Sequence, residues 1–193
     1  MASTHSDGCG SDTFCPVHEG FSGASKPYPL GHSLTRHVDI RPIPNQTANQ
    51  IHVAHHSYVY TPRKNSVVSH GVFVDDRIVG AISYAYLLAS EPIAGYASDE
   101  YIELARVTIA VDMPNLASCG LSASQDQFAE TYARDNDIGL LVTYVHEDYD
   151  GSMFKALQTK GWTYDGESRG HQAGNRPDTD IRDVDKSRWV CEI

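Results

Sequence analysis

The chain of 193 residues carries 25 acidic against 15 basic side chains, a net charge of −10, and is long enough to bury one sizeable core. It has no apolar run of membrane-spanning length, and its N-terminus lacks the basic-then-apolar order of a secretory signal, so an intracellular, cytoplasmic protein of one domain is expected. The acidity weighs against nucleic acid, which wants a basic footprint. Yet Asp (17) far outnumbers Glu (8) and Arg (10) outnumbers Lys (5). That composition suits a halophilic surface, where salt screens charge within a few ångströms, and it leaves nucleic acid open.

Residues 1–35 are rich in Ser, Gly, His and Pro and have no periodic apolar pattern. They are predicted to form a disordered tail, with the folded domain over residues 36–193. Cys9, Cys15, Cys119 and Cys191 suggest no disulfide framework. His5, Cys9, Cys15 and His18 offer the N/S ligands that zinc takes, though at spacings that match no CxxC template. The tail reads as disordered or as a zinc knob.

The chain becomes strand-like at "HVDIRPIP", and "NQTANQIHVAHH" (45–56) reads as a short helix carrying Ile51 and Val53. In "SVVSHGVFVDDRIVGAISYAYL" two β-rich runs flank Asp75-Asp76, which predicts a hairpin. "YIELARVTIAVD" is the next strand. Its Ile102, Leu104, Val107 and Ile109 imply two mostly apolar faces and therefore a central position.

After Pro114 a helix is predicted to Asp135, starting at Asn115 or Ser118, with Leu121, Phe128 and Tyr132 on one face and Ser122/Gln125 at capping-box spacing. "IGLLVTYV" is a buried strand, Ser152–Lys160 a helix and "WTYDGES" a strand. The closing "SRWVCEI" puts Trp189, Cys191 and Ile193 on one face. The order predicts an α/β fold, a mixed sheet with helices on both faces.

Two places could carry chemistry. The helix start "MPNLASCGLS" presents backbone N–H groups that suit phosphate, and Ala117, Ser118 and Gly120 are small enough for close approach. The second is the acid-rich mouth "HEDYD" (146–150), which is either a solvated loop or the lining of a site. Arg106, on an apolar strand, needs an acidic or phosphate partner. Either Glu103 supplies it or a ligand does. Trp162 and Tyr164 are expected in the core.

The strand–helix–strand–helix–strand order is similar to the GNAT acyltransferase fold, in which acyl-CoA binds between two splayed parallel strands. Here those would be residues 101–111 and 139–145. More narrowly, "IELARVTI", "PNLAS", "LLVTYVHEDYDGSMFKALQTKGWTYDGES" and "KSRWV" resemble the Mom-like DNA-modification proteins of phages. The match falls on Glu103, Leu104 and Arg106; on Asn115 and Ser118; on Thr143 and Tyr144; and on Gly151, Ser152, Ala156, Gly161, Trp162, Tyr164 and Gly166. It covers roughly residues 48–193.

The resemblance implies a GNAT-type enzyme that modifies the exocyclic N6 amine of adenine in DNA with acetyl-CoA or a related acyl-CoA, protecting viral DNA from restriction. The candidate catalytic residues are His56, Tyr58 and Arg106, with Asp148 from the acid-rich mouth, and the candidate cofactor site is Val107, Ile109, Asn115, Ser118 and Gly120. Iron is a further implied cofactor, with His55, His56 and Asp148 as candidate ligands. Tyr58 or Tyr60 would stack on a flipped base. Two positions depart from the family pattern: Phe154 replaces a Tyr, and an early His-Tyr pair is matched only loosely by His55-His56-Ser57-Tyr58. An ordinary GNAT N-acetyltransferase for a small-molecule or protein amine, and a non-catalytic nucleic-acid-binding or anti-restriction protein, are the alternatives.

Overall fold

The computed structural model describes residues 37–56, 61–87, 93, 95–111, 113–146, 153–168 and 186–193. The predicted tail and its Cys/His set lie outside them, as do Tyr58, Tyr60, Asp148, Gly151 and Ser152. None of the helices among the described residues is long and apolar enough to cross a membrane.

Seven strands form one sheet: β1 (Val38–Pro42), β2 (Ser66–Val74), β3 (Arg77–Ala85), β4 (Tyr101–Ile109), β5 (Leu140–His146), β6 (Thr163–Ser168) and β7 (Lys186–Glu192). Their order is β1-β2-β3-β4-β5-β7-β6, so the last strand inserts beside β5. Every neighbouring pair is antiparallel except β4 with β5, which run parallel. The β2–β3 hairpin turns at Asp75 (φ 48°) and Asp76 (φ 63°). Both residues have the positive φ that a two-residue turn needs to match strand twist.

Among the described residues three helices cover the sheet: α1 (Asn45–His55), α2 (Leu116–Phe128), which continues through a π-helical turn at Ala129–Ala133, and α3 (Met153–Thr159). The main core packs α2 and α3 onto one face through Val72, Ile82, Tyr84, Leu121, Phe128, Leu157 and Trp162. Tyr84 stacks on Phe128 with ring centroids 4.2 Å apart. On the other face α1 packs through Ala48 and Ile51 against Ala81. Ala81 and Ile82 fall in different clusters because successive strand residues point to opposite faces. The sequence expectation of helices on both faces holds.

Four expectations change in detail. Helix α2 begins at Leu116 after Asn115, which is left-handed (φ 64°) and makes no side-chain cap; Ser122 and Gln125 therefore lie inside the helix and form no capping box. Trp162 is buried, its Nε1 donating to Gln125 Oε1 at 2.8 Å, but Tyr164 is exposed. Ile193 follows the last strand and is exposed, so it does not extend the face of Trp189 and Cys191.

The fourth change concerns β4. Ser83 pairs with Arg106 and Tyr84 with Leu104, leaving Ala105 as an extra residue, a β-bulge. The bulge shifts the alternation by one. Ile102 and Leu104 before it, and Val107 and Ile109 after it, all point into the same main core. The strand is central, as predicted, but only one face is apolar. The other face presents Glu103, Arg106 and Thr108 toward α1.

Candidate active site

β4 and β5 pair over only three rungs: Tyr101 with Leu140, Ile102 with Leu141, and Glu103 with Val142. Both strands continue, β4 to Ile109 and β5 to His146, so they part beyond Glu103 and leave a wedge. At its apex the Thr143 hydroxyl donates to the Leu104 carbonyl at 2.8 Å, closing the edge where the ladder stops. From there on, the β5-facing edge of β4 has no strand partner among the described residues, so its amides and carbonyls can serve an extended ligand containing peptide-like groups.

α2 starts just past the open end of β4. Its first-turn bonds include Leu116 N–H to Met113 O and Cys119 N–H to Asn115 O, and no side chain caps the terminus. The positive end of the helix dipole is therefore available to an anion. Of the predicted cofactor residues, Asn115 and Ser118 lie at this entrance. Val107 and Ile109 turn their side chains to the main core, so what they offer a ligand is backbone. Gly120 has a different task. A Cβ there would lie 3.2 Å from Val72 Cγ1, so the missing side chain lets α2 seat on β2.

Above the wedge, on the α1 face, charged and titratable groups gather. Arg106 is 8% exposed. His56 ends α1, its amide donating to the His52 carbonyl at 2.8 Å. Burial lowers the His56 pKa to about 4, with the charges of Arg106 and His146 adding to the effect. His52 is lowered to about 3 by burial, then by Arg106 and His56. His56 and Arg106, both predicted from sequence, thus lie within electrostatic reach of each other, as do His146 with His56 and His52 with Arg106 and His56.

Glu103 does not pair with Arg106 as its place on the strand suggested. Its carboxylate is held by Arg63 Nη2, and both side chains are largely buried, at 13% and 12% exposed. Burial pushes the Glu103 carboxyl above its ordinary range, against the pull of Arg63, Lys186 and Arg106. Arg63 is itself well fixed: its backbone N–H and C=O both bond the Asn49 side chain, at 2.8 and 2.9 Å, and Nε reaches Asn65 Oδ1 at 3.0 Å.

Sequence reading missed Arg63 and His52 as site residues, and named His146 only within the acid-rich mouth, as solvated loop or site lining. For His52 the signal was present, since His52 and His56 are four apart on a helix and so share a face. Arg63 sits in an irregular loop, with no periodicity to mark it.

Among the described residues, no group of three or more His, Cys, Asp or Glu side chains could hold a metal. His55 and His56 are neighbours at the end of α1, and Asp148 lies outside the described residues. The residues on view therefore do not make up the iron site that the resemblance implied.

A mixed sheet parted between two parallel strands, with a helix start at the opening, defines the fold of the GNAT acetyltransferases. Solved structures bear this out. The ribosomal-protein-S18-alanine N-acetyltransferase from Escherichia coli is similar at TM-score 0.55 and 11% identity, over 81% of this chain and 94% of that one. An IAA acetyltransferase from Bacillus cereus ATCC 14579 gives 0.54 and 12%, over 81% and 99%. A GNAT family acetyltransferase from Elizabethkingia anophelis, solved with acetyl-CoA bound, gives 0.53 and 12%, over 81% and 99%. At such identities the likeness is one of fold. No curated protein sequence matches the chain. The chain belongs to the Mom protein family, whose model matches residues 37–183.

Proposed function

We propose that the protein is a DNA-modifying transferase that places an acyl-type group on the exocyclic N6 amine of adenine, taking it from acetyl-CoA or a related acyl-CoA. Family membership supports the DNA substrate, and the protection of viral DNA from restriction belongs to the same reading. The observation that supports the chemistry is the parting of β4 and β5 beyond Glu103, with the charges of Arg106 and His146 acting on His56. A bound thioester would supply an electrophilic carbonyl there.

The chain's residues would do the rest. The β4 backbone around Val107 and Ile109 would hold the donor's arm, and the α2 start at Asn115 and Ser118 its phosphates. An aromatic amine is a weak nucleophile, so holding the partners at reacting distance is a large contribution the site can make. His56, kept neutral by burial and by Arg106, is in the proton-accepting form at neutral pH. Arg106 would stabilise negative charge developing on the reacting carbonyl. Tyr58 and Asp148, which follow closely on His56 and His146, join the proposal by sequence position.

The net charge of −10 favours a second reading, an N-acetyltransferase for a small-molecule or protein amine. Nucleoside mass spectrometry of DNA from cells expressing the chain separates the two. The proposal expects a modified deoxyadenosine, and its loss in a folded Arg106→Ala variant. Unmodified DNA alongside full-length folded protein would favour the other amines.

A further inference from the structure

Between α1 and the sheet lies a chain of buried polar groups that apolar packing does not require. His52 is wholly buried. Its Nδ1 is 2.7 Å from Thr108 Oγ1 and its Nε2 is 2.9 Å from Ser83 Oγ. Ser83 Oγ is in turn 2.9 Å from Ser69 Oγ. Three adjacent strands each contribute one hydroxyl to a network that ends on one helix. Hydrocarbon in these places would pack α1 without desolvation cost, as Ala48, Ile51 and Ala81 do beside it.

The location is specific. Ser83 stands directly opposite Arg106 in the β3–β4 ladder. Thr108 is the next residue of β4 on the same face as Arg106. His52 therefore grips the two positions that flank Arg106, and its own carbonyl holds the amide of His56.

We infer that His52 is a positioning residue: through Thr108 and Ser83 it fixes the end of α1, and with it His56, in one setting against Arg106. The inference rests on the proposed function insofar as His56 and Arg106 serve the same reaction. A neutral imidazole donates from one nitrogen and accepts at the other, so the two hydroxyls must take complementary roles. That makes the grip directional, where an apolar contact would let the helix end slide.

The test compares Thr108→Val, which keeps the shape and removes the hydroxyl, with Thr108→Ser, which keeps the hydroxyl. Amide hydrogen exchange and DNA-modification kinetics are measured on the full chain. In the valine variant the His56 amide should exchange about tenfold faster, as expected for one lost buried hydrogen bond. Its kcat should fall about tenfold, with KM near that of the parent and α2 amides unchanged. The serine variant should match the parent in both readouts.

His56 protection in the valine variant equal to the parent's overturns the inference, whatever the activity. So does a serine variant as impaired as the valine one, because packing of the methyl would then be the cause. A parent chain that modifies no DNA refutes the proposed function, and exchange alone then decides the inference. If Thr108→Val does not fold, Ser83→Ala, which removes the other hydroxyl that His52 meets, is measured instead, and His56 protection equal to the parent's again overturns the inference.

Discussion

Lowering the pH should destabilise the protein well above the range in which carboxylates titrate. His52 and His70 are almost completely buried on opposite faces of the sheet. His70 bonds Ser124 Oγ through Nδ1 at 2.9 Å. Burial lowers their pKa values to about 3 and about 4, with Arg106 and His56 contributing at His52. In the unfolded chain both rings titrate near their ordinary value of about 6.5. Below that value the unfolded state takes up protons that the folded state refuses. Stability is therefore complete above about pH 6.5 and falls as the pH drops toward the folded values.

At about pH 5.5 each ring should cost about 1.4 kcal/mol, or about 3 kcal/mol together. That is a large part of the roughly 5–15 kcal/mol that holds a domain together. His56, lowered to about 4, acts in the same direction. Glu103, with its raised pKa, acts in the opposite one, which is why the comparison stops above the carboxylate range. Urea denaturation followed by circular dichroism, between about pH 7.5 and pH 5.5, measures the change. His70→Asn should make the dependence shallower by about one proton. Stability that stays level across this interval would refute the reasoning.

Removing Arg63 leaves Glu103 buried without its cation, so Arg63→Leu should cost about 3–5 kcal/mol in urea denaturation, and Arg63→Leu with Glu103→Leu should recover most of it. A single variant as stable as the parent would mean that the pair is solvated. Gly80→Ala would set a Cβ 2.4 Å from the Thr108 carbonyl oxygen and 2.9 Å from Ile109 Cδ1. It should lower stability by about 2 kcal/mol, which thermal denaturation would show as a lower Tm; an unchanged Tm would show that the strands can part there without cost.

The elements themselves were legible because each obeyed a local rule. Asp75-Asp76 between two β-rich runs gave the hairpin, and the seven- and four-residue spacings of Leu121, Phe128 and Tyr132 gave α2. The faces of β4 were not legible. Ile102 and Leu104 are even-numbered, Val107 and Ile109 odd, and an unbroken alternation puts the two pairs on opposite sides of a sheet. Only the pairing of Ser83 with Arg106 and of Tyr84 with Leu104 reveals the extra residue. No composition signal marks a bulge at Ala105.

That single residue decides which face of the sheet Arg106 occupies. Without the bulge, Arg106 would share the face of Leu104 and point into the core, where an apolar strand would have to bury its charge at a cost of several kcal/mol. With it, Arg106 joins Glu103 and Thr108 on the α1 face, within the electrostatic reach of His52 and His56. The same face carries Glu103, which made the two residues look like an ion pair in sequence. They are not one, because Arg63 comes across from a loop to take the carboxylate, and a partner 40 residues away leaves no local trace. Arg106 instead lies within electrostatic reach of His52 and His56, a placement that depends on the bulge and that short-range sequence pattern does not show.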